Sequence, residues 1–249
     1  MRQKSYLYSA CGLLAFLLIW EGFTRLSFVS QSLVPSPSDL PAAFLREYRS
    51  GKWQEMLWLS LGHYGKGFAI GAGLGVLLGT LTGMYLKLEW TFAWLVRLLR
   101  PIPNLAWAPF AIIWFGVDEA AAVFIISIGV FWIVFFAAQG AIRAVDRELI
   151  ELANAFGFRS GPEQLVKVLL PAATPGILVG LRTALGQAWM AVVAAEIFGV
   201  SGLGSRMMQA SSLLATDLVV LYMLTMALLY GLMDTVFVAV QSYLLRWKA

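Results

Sequence analysis

Long apolar stretches dominate this chain and recur at intervals suited to membrane helices. Crossing the hydrocarbon core of a bilayer takes roughly 20 apolar residues in a helix. The stretches long enough to be predicted as spans are 6–28, 62–86, 88–117, 120–142, 172–199 and 217–244. The pattern therefore predicts an all-α, polytopic membrane bundle of about six transmembrane helices, forming a single domain over residues 1–249.

The third predicted span is interrupted by Pro101, Pro103 and Pro109. Asn104 and Trp107 lie between these prolines. Proline removes helical hydrogen bonds, and free carbonyl groups at membrane depth are tolerated only where protein or a water-filled cavity meets them. Two interpretations follow: the segment lines a translocation pathway through Asn104 and Trp107, or it is a kink at the membrane interface.

Glycine recurs at every fourth residue of the second predicted span, at positions 67, 71, 75, 79 and 83. Residues at this spacing lie on one ridge of a helix, and a ridge without side chains lets another helix approach closely. The repeat predicts a tightly packed bundle and says nothing about a substrate.

Composition agrees with a membrane protein, because 60% of the residues are hydrophobic and only 13% are charged. A soluble domain carries roughly 25% charged residues, so these charges are too few to cover a water-soluble surface. Membrane lipid is the predicted surrounding. The net charge of +4 comes from 18 Lys and Arg that form no continuous basic stripe, so nucleic-acid binding is not predicted.

The basic residues also predict an orientation. The loops that are cytoplasmic when the N-terminus is inside carry more Lys and Arg than the opposite loops, which favours both termini in the cytoplasm. No small-residue cleavage site follows the first apolar stretch, so this stretch is interpreted as an uncleaved span and not as a signal peptide.

Residues that would carry out chemistry are scarce. Cys11 is the one cysteine and His63 the one histidine, which excludes an intramolecular disulfide and a cysteine-based metal site. Gly-Lys occurs at 51–52 and at 65–66, but Trp and Gly follow where a phosphate loop needs Ser or Thr. We therefore predict no catalytic residues, no cofactor and no metal. The chain is predicted not to be an enzyme, and an ATP-driven mechanism would require separate ATPase chains.

The loop 143–171 is the most charged stretch of the chain. Asp146 is predicted to cap a helix that Gly157 ends in a left-handed conformation. Four apolar residues recur at helical spacing and would form one face: Leu149, Leu152, Ala153 and Phe156. Such a helix needs a partner groove if it projects into the cytoplasm, and the alternative is a loop packed on itself.

Isolated charges lie in the fifth predicted span, where Arg182, Trp189 and Glu196 share a helix face with Gly186 and Val193. Arg182 and Glu196 are roughly 21 Å apart along a helix and cannot pair with each other. Charges within a span usually face the bundle interior. We predict that Arg182, Trp189 and Glu196 line the pathway or a dimer seam, the alternative being bonds between helices.

Glu151-Leu152-Ala153, then Gly157 and the pair Leu170-Pro171, resemble the EAA loop of permease subunits in ATP-binding-cassette (ABC) importers. Leu152 stands where that family usually has alanine, and 157–171 is one residue longer than usual. Further stretches resemble the sulfonate, taurine and nitrate branch of these permeases, namely 33–39, 99–108, 113–117, 180–196 and 201–204.

This resemblance implies a type I ABC importer permease fold in the bacterial inner membrane. It implies that the loop forms a coupling helix docking on an ATPase subunit, through Asp146, Leu149, Glu151, Leu152, Ala153, Phe156 and Gly157. The implied partners are two ATPase subunits that bind ATP, a second permease copy in a homodimer, and a periplasmic or lipid-anchored substrate-binding protein.

The implied cargo is a small anion such as a sulfonate, taurine, nitrate or bicarbonate, moved by alternating access. Relatives that carry aromatic or pyrimidine-like vitamin precursors leave a second class of cargo open. A secondary transporter or channel that works without ATP is the other alternative, although no inverted repeat is present in the sequence.

Overall fold

The computed structural model describes residues 2–26, 33–158 and 161–248. Regular structure in these ranges is helical throughout, without strands, which confirms the all-α prediction. The helices are α1 (Arg2–Arg25), α2 (Leu40–Arg49), α3 (Lys52–Met84), α4 (Leu86–Leu99), α5 (Ala108–Phe115), α6 (Glu119–Arg143), α7 (Arg147–Ala155), α8 (Pro162–Ile197), α9 (Leu203–Ser212) and α10 (Thr216–Leu244).

Within the described residues, α3, α6, α8 and α10 are long and apolar enough to cross a membrane. They contain most of the predicted spans 62–86, 120–142, 172–199 and 217–244. The predicted span 6–28 lies partly outside the described residues, and α1 ends at Arg25. The total of about six spans therefore stays a prediction.

The predicted span 88–117 is divided into two helices. α4 ends at Leu99, and a single 3-10 turn, Asn104–Trp107, precedes α5. Pro101 and Pro103 lie in the non-helical connection, where their missing N–H groups break the helical ladder. The division places a short irregular segment beside the long helices.

The centre of the bundle is α6, which packs against α3 on one side and α8 on the other. Fully or almost fully buried side chains fill these contacts, among them Ile125, Ile126, Val130, Val134, Ala188 and Val192. α10 has few buried residues and leaves large apolar side chains such as Leu228 and Leu232 uncovered by the described chain. The three central helices therefore hold the fold together.

The four-residue glycine repeat of α3 lies against α6, which confirms the predicted close packing. A Cβ atom on Gly71 would lie 2.5 Å from the Ser127 carbonyl oxygen and 2.9 Å from Val130 Cβ. α8 also packs closely against α6 through a glycine, because a Cβ on Gly176 would lie 2.8 Å from Ala141 Cβ. No larger side chain fits between these backbones without a shift of one helix.

A matched pair of substitutions tests this packing. We expect Gly71→Ala to destabilise the protein by about 1 kcal/mol or more, because an overpacked core costs more than the gain in helix propensity. Gly73→Ala is the control, since a Cβ on Gly73 meets nothing within 4 Å. Thermal unfolding in detergent micelles measures both. Equal midpoints would show that the α3–α6 contact can relax.

Candidate functional site

The helix α7 forms in the charged loop and ends as the sequence predicts. Gly157 has φ of +93°, which confirms the left-handed end. Gly157 N donates to Asn154 O at 3.1 Å and Phe158 N donates to Ala153 O at 2.9 Å. This pair of bonds satisfies carbonyl groups at the helix end. Asp146 occupies the N-cap position, but its side chain makes no capping hydrogen bond.

The apolar face of α7 is mostly uncovered by the described chain. Ala153 is buried, whereas Leu149 and Leu152 are exposed and Phe156 is 73% exposed. These residues line an apolar groove of about 350 Å³. It is completed by residues from the turn after α7, from α8 and from the C-terminal segment, namely Phe158, Lys167, Val168, Pro171, Ala172 and Trp247. Glu151 is exposed beside this face.

The start of α8 holds α7 in place through Gln164, a residue that the sequence analysis did not single out. Gln164 Nε2 donates to Asn154 Oδ1 at 3.1 Å and to the Phe158 carbonyl oxygen at 3.0 Å. The predicted loop 143–171 includes residues 159 and 160, which lie outside the described residues. An uncharged polar residue in a loop gives no sequence signal for such an anchoring role.

The structure does not arrange Arg182, Trp189 and Glu196 as one surface. Arg182 is exposed and forms a bidentate pair with Asp234, at 2.7 and 2.8 Å. Trp189 is buried and packs on Tyr64, with ring centroids 4.9 Å apart. Glu196 is fully buried. In this conformation the three residues make contacts between helices, and their lining of a pathway stays a prediction.

Glu196 joins three parts of the fold through its carboxyl group. Ser60 Oγ donates to Glu196 Oε1 at 2.6 Å, and His63 Nδ1 lies 3.1 Å from the same oxygen. Gly204 N donates to Oε2 at 2.7 Å. Ser60 also accepts a hydrogen bond from Leu203 N at 2.9 Å. The carboxyl group therefore fixes the glycine-rich start of α9 to α3.

Glycine is required beside this carboxyl group because of space. A Cβ on Gly202 would overlap the Glu196 carboxyl atoms, and a Cβ on Gly204 would lie 2.9 Å from Glu196 Cβ. The sequence shows Glu196 and, a few residues later, the glycines of the stretch 201–204. It could not show that they touch, because their contact depends on a turn between α8 and α9.

A groove of about 440 Å³ runs between the proline-rich segment and α8. From the segment it is lined by Pro103 and Asn104, and from α8 by Gln187 and Met190. Gly129 of α6 makes room for Asn104, since a Cβ there would lie 2.5 Å from Asn104 Nδ2. The α8 residues that line this groove therefore lie on a different face of the helix from Arg182, Trp189 and Glu196.

Trp107 lies beside this groove and not in its lining. Its ring meets the ring of Phe124 edge-on, with centroids 6.3 Å apart. Its buried Nε1 has no hydrogen-bond partner within the described part of the chain. The structure therefore places Asn104 at the groove and Trp107 in an aromatic cluster behind it.

A second polar cluster joins α2, α9 and α10. Glu47 accepts two hydrogen bonds from Arg206, at 2.7 and 3.1 Å, and one from Tyr222 at 2.6 Å. The Arg206 guanidinium holds the pKa of Glu47 below its ordinary value, although burial opposes this shift. The cluster fastens α2 to the bundle, and an isolated acid in a short helix gave no signal for it.

Comparison with known proteins identifies the family. The model of the binding-protein-dependent transport system inner membrane component family matches residues 71–249. The chain belongs to this family. The predicted resemblance to importer permeases is thereby confirmed.

The permease is similar to named transport proteins over most of its length. It is 34% identical to the aliphatic sulfonates transport permease SsuC of Bacillus subtilis, over 93% of this chain and 84% of the relative. It is also 34% identical to the bicarbonate transport system permease CmpB of Synechococcus elongatus, over 82% of this chain and 77% of the relative. Both relatives are named as transport permeases and not as enzymes.

Solved structures confirm the type I ABC importer permease fold. The permease matches a chain of the inward-facing MetNI methionine ABC transporter with a TM-score of 0.58 and 25% identity, covering 74% of this chain and 93% of that one. An amino acid ABC transporter matches with a TM-score of 0.61 over 82% of this chain and 97% of that one. Its 18% identity supports the fold alone.

The Glu196 cluster can be tested by stability. Glu196→Ala should destabilise the permease by about 2 kcal/mol or more, because it leaves several buried donors without an acceptor. Glu55→Ala on α3 is the control, since Glu55 is exposed. Thermal unfolding and limited proteolysis between residues 198 and 212 measure the effect. A Glu196→Ala variant with the stability and protease resistance of the control would contradict the role given to this carboxyl group.

Proposed function

We propose that this permease moves a small oxyanion into the cell by alternating access, driven by ATP hydrolysis on partner subunits. The observation that carries the ATP coupling is the uncovered apolar face of α7, with Phe156 73% exposed. An amphipathic helix with an uncovered apolar face binds a complementary groove on a partner. The names of relatives, which specify aliphatic sulfonates and bicarbonate, support an anionic cargo, and the resemblance adds taurine and nitrate.

We propose that α7 is the coupling helix. Leu149, Leu152 and Phe156 would enter a cleft on the ATPase subunit, while Asp146, Glu151, Ala153 and Gly157 set the position and shape of the helix. Movement of the ATPase would pass from α7 to α8 through Gln164, because its two hydrogen bonds join these elements. Trp247 borders the same groove and would meet the same partner.

The proposed pathway runs along the groove lined by Asn104, Gln187 and Met190. Its mixed lining of two amides, a thioether and proline residues suits an irregular segment beside a water-filled cavity. Arg182, Trp189 and Glu196 would become accessible only in another conformation, since Trp189 and Glu196 are buried in this one. Trp107 would act by supporting the segment from behind.

The proposed assembly contains two copies of the permease, two ATPase subunits that bind ATP, and a substrate-binding protein on the outer face. Both termini would lie in the cytoplasm of a bacterial cell, with the permease in the inner membrane. Membership of the permease family supports this arrangement, as do the four helices of the described residues that are long enough to span a membrane. A vitamin-precursor importer and an ATP-independent transporter are the competing functions.

Charge reversal tests the coupling helix. We expect Glu151→Lys to leave expression intact and to abolish ATP-driven uptake in proteoliposomes that contain the whole complex, because the docking contact is misaligned. Glu163→Lys is the control, since Glu163 is also exposed, lies in the same loop and pairs, among the described residues, with Lys167. Uptake of radiolabelled sulfonates and ATP turnover are measured together. Normal uptake by Glu151→Lys would remove α7 from the mechanism.

Cysteine labelling tests the pathway. In a Cys11→Ser background, cysteines at Gln187 and Met190 should react with small hydrophilic thiol reagents, and the rate should change when ATP binds. Cysteines at Ala188 and Val192 are the controls, because both residues are fully buried on the other side of α8. The same labelling at Arg182, Trp189 and Glu196 tests whether these residues line the pathway. Unreactive Gln187 and Met190 positions in both nucleotide states would place the pathway elsewhere.

A further inference from the structure

A cavity of about 560 Å³ lies between α4 and α6, away from the proposed coupling helix. Arg97 of α4 and Arg100, which directly follows this helix, line the cavity together with Phe135, Phe136 and Gln139 of α6. The cavity adjoins the proposed pathway groove, because Arg100 and Pro101 line both. Arg100 therefore borders both the cavity and the groove, and Arg97 borders the cavity.

Arg97 and Arg100 differ from Arg143 and Arg182 in having no acidic partner among the described residues. Within the described residues, neither Arg97 nor Arg100 has a carboxylate oxygen within 4.0 Å. Each guanidinium lies near an aromatic ring instead, Arg100 at 4.3 Å from the centroid of Phe136 and Arg97 at 5.6 Å from that of Trp94. Glu89 also lines the cavity, but it is paired with Arg143. The cavity therefore carries an uncompensated positive charge.

The position of Arg100 along the bundle makes its unpaired charge energetically unfavourable. Phe136, which lies under the Arg100 guanidinium, precedes the end of α6 at Arg143 by two helical turns, about 10 Å of rise. Charged side chains at such a depth pair with an opposite charge or line a pathway for ions or substrate. Arg182 satisfies this rule through Asp234. Arg97 and Arg100 would satisfy it by binding an anion.

The rest of the lining suits an anion that also has an apolar part. Gln139 Nε2 donates to Thr82 Oγ1 at 3.2 Å, and both residues line the cavity, so its lining holds an amide and a hydroxyl group besides the two guanidinium groups. Phe92, Val96 and Phe135 form the apolar wall. Arginine presents several N–H donors in a planar fork, which matches the oxygens of a sulfonate, carboxylate or phosphate group.

We propose that this cavity binds an oxyanion between Arg97 and Arg100. The oxyanion has two possible sources, the imported solute and the phosphate group of a membrane phospholipid. The first source rests on the proposed function; the site itself does not, because a lipid phosphate would occupy it in a permease of any cargo. Arg97 and Arg100 would bind the oxyanion group, and its apolar part would contact the phenylalanines.

Binding to the purified full-length chain in neutral detergent tests the proposal. The probe is 2,2,2-trifluoroethanesulfonate, observed by fluorine NMR line broadening and displaced by unlabelled ethanesulfonate. In parallel, native mass spectrometry counts the phosphatidylglycerol that the chain retains. Arg97→Gln and Arg100→Gln should each weaken binding about tenfold or more, because each removes charge-assisted hydrogen bonds. Arg246→Gln is the control, since Arg246 also lies over an aromatic ring but outside the cavity.

Saturable sulfonate binding that the two variants lose would support the site and assign it to the solute. Retained phosphatidylglycerol that the same variants lose, without sulfonate binding, would support the site and assign it to lipid. Equal binding of both probes by the variants and the wild type, or no binding of either probe, would overturn it. Arg97→Lys and Arg100→Lys keep the charge and should bind the probe more weakly than the wild type but more tightly than the glutamine variants. This intermediate affinity separates lost recognition from misfolding. ATP-driven uptake by the wild type, measured separately, tells whether the proposed function survives.

Discussion

The close approach of α3 to α6 is the contact on which the rest of the structure depends. Lipid provides no hydrophobic force to drive two apolar helices together, so their association relies on van der Waals packing. That packing becomes extensive only where side chains are absent, and the α3 glycines bring the Ser127 carbonyl oxygen to within 2.5 Å of where a Cβ on Gly71 would stand. The glycines of α8 extend the same packing to the other side of α6. The other elements are arranged around this three-helix core.

Charged groups at membrane depth are the second constraint, and the structure satisfies it in different ways. Arg182 pairs with Asp234 between α8 and α10, and this pair joins the weakly buried α10 to the core. Glu196 is surrounded by donors from α3 and from the start of α9. Arg97 and Arg100 lie near aromatic rings and have no carboxylate partner among the described residues. Paired charges hold helices together, whereas the unpaired ones belong to a cavity, where a solute can take the place of a counter-ion.

The proposed coupling links the cytoplasmic loop to the core by a short route. α7 ends in a left-handed turn at Gly157, and Gln164 bonds both to α7 and to the turn that follows it. From Gln164 the helix α8 continues through a π-helical turn at Leu165–Leu169 to Ile197, past the groove at Gln187 and on to the Glu196 cluster. A displacement of α7 would therefore act on the groove and on the glycine-rich turn through one continuous helix, in keeping with the proposed alternating access.

The sequence by itself determined the features that depend on local spacing. Apolar length predicted the regions of the four long helices, the four-residue glycine repeat predicted a packed ridge, and Gly157 predicted a left-handed helix end. Each follows from helical geometry or from the steric freedom of one residue. The proline-rich segment likewise indicated irregular backbone, although the sequence left its role open.

Only the tertiary structure decided which neighbour each face meets. Helical spacing put Arg182, Trp189 and Glu196 on one side of α8, but it could not show that Tyr64 covers Trp189 or that Ser60 reaches Glu196. The same limit hid Gln187 and Met190, which line the groove, and Glu47, which is paired with Arg206. These contacts join residues far apart in the chain, and they arise from the rotation and register of packed helices. A periodic sequence defines the faces of a helix, and packing alone determines what lies against them.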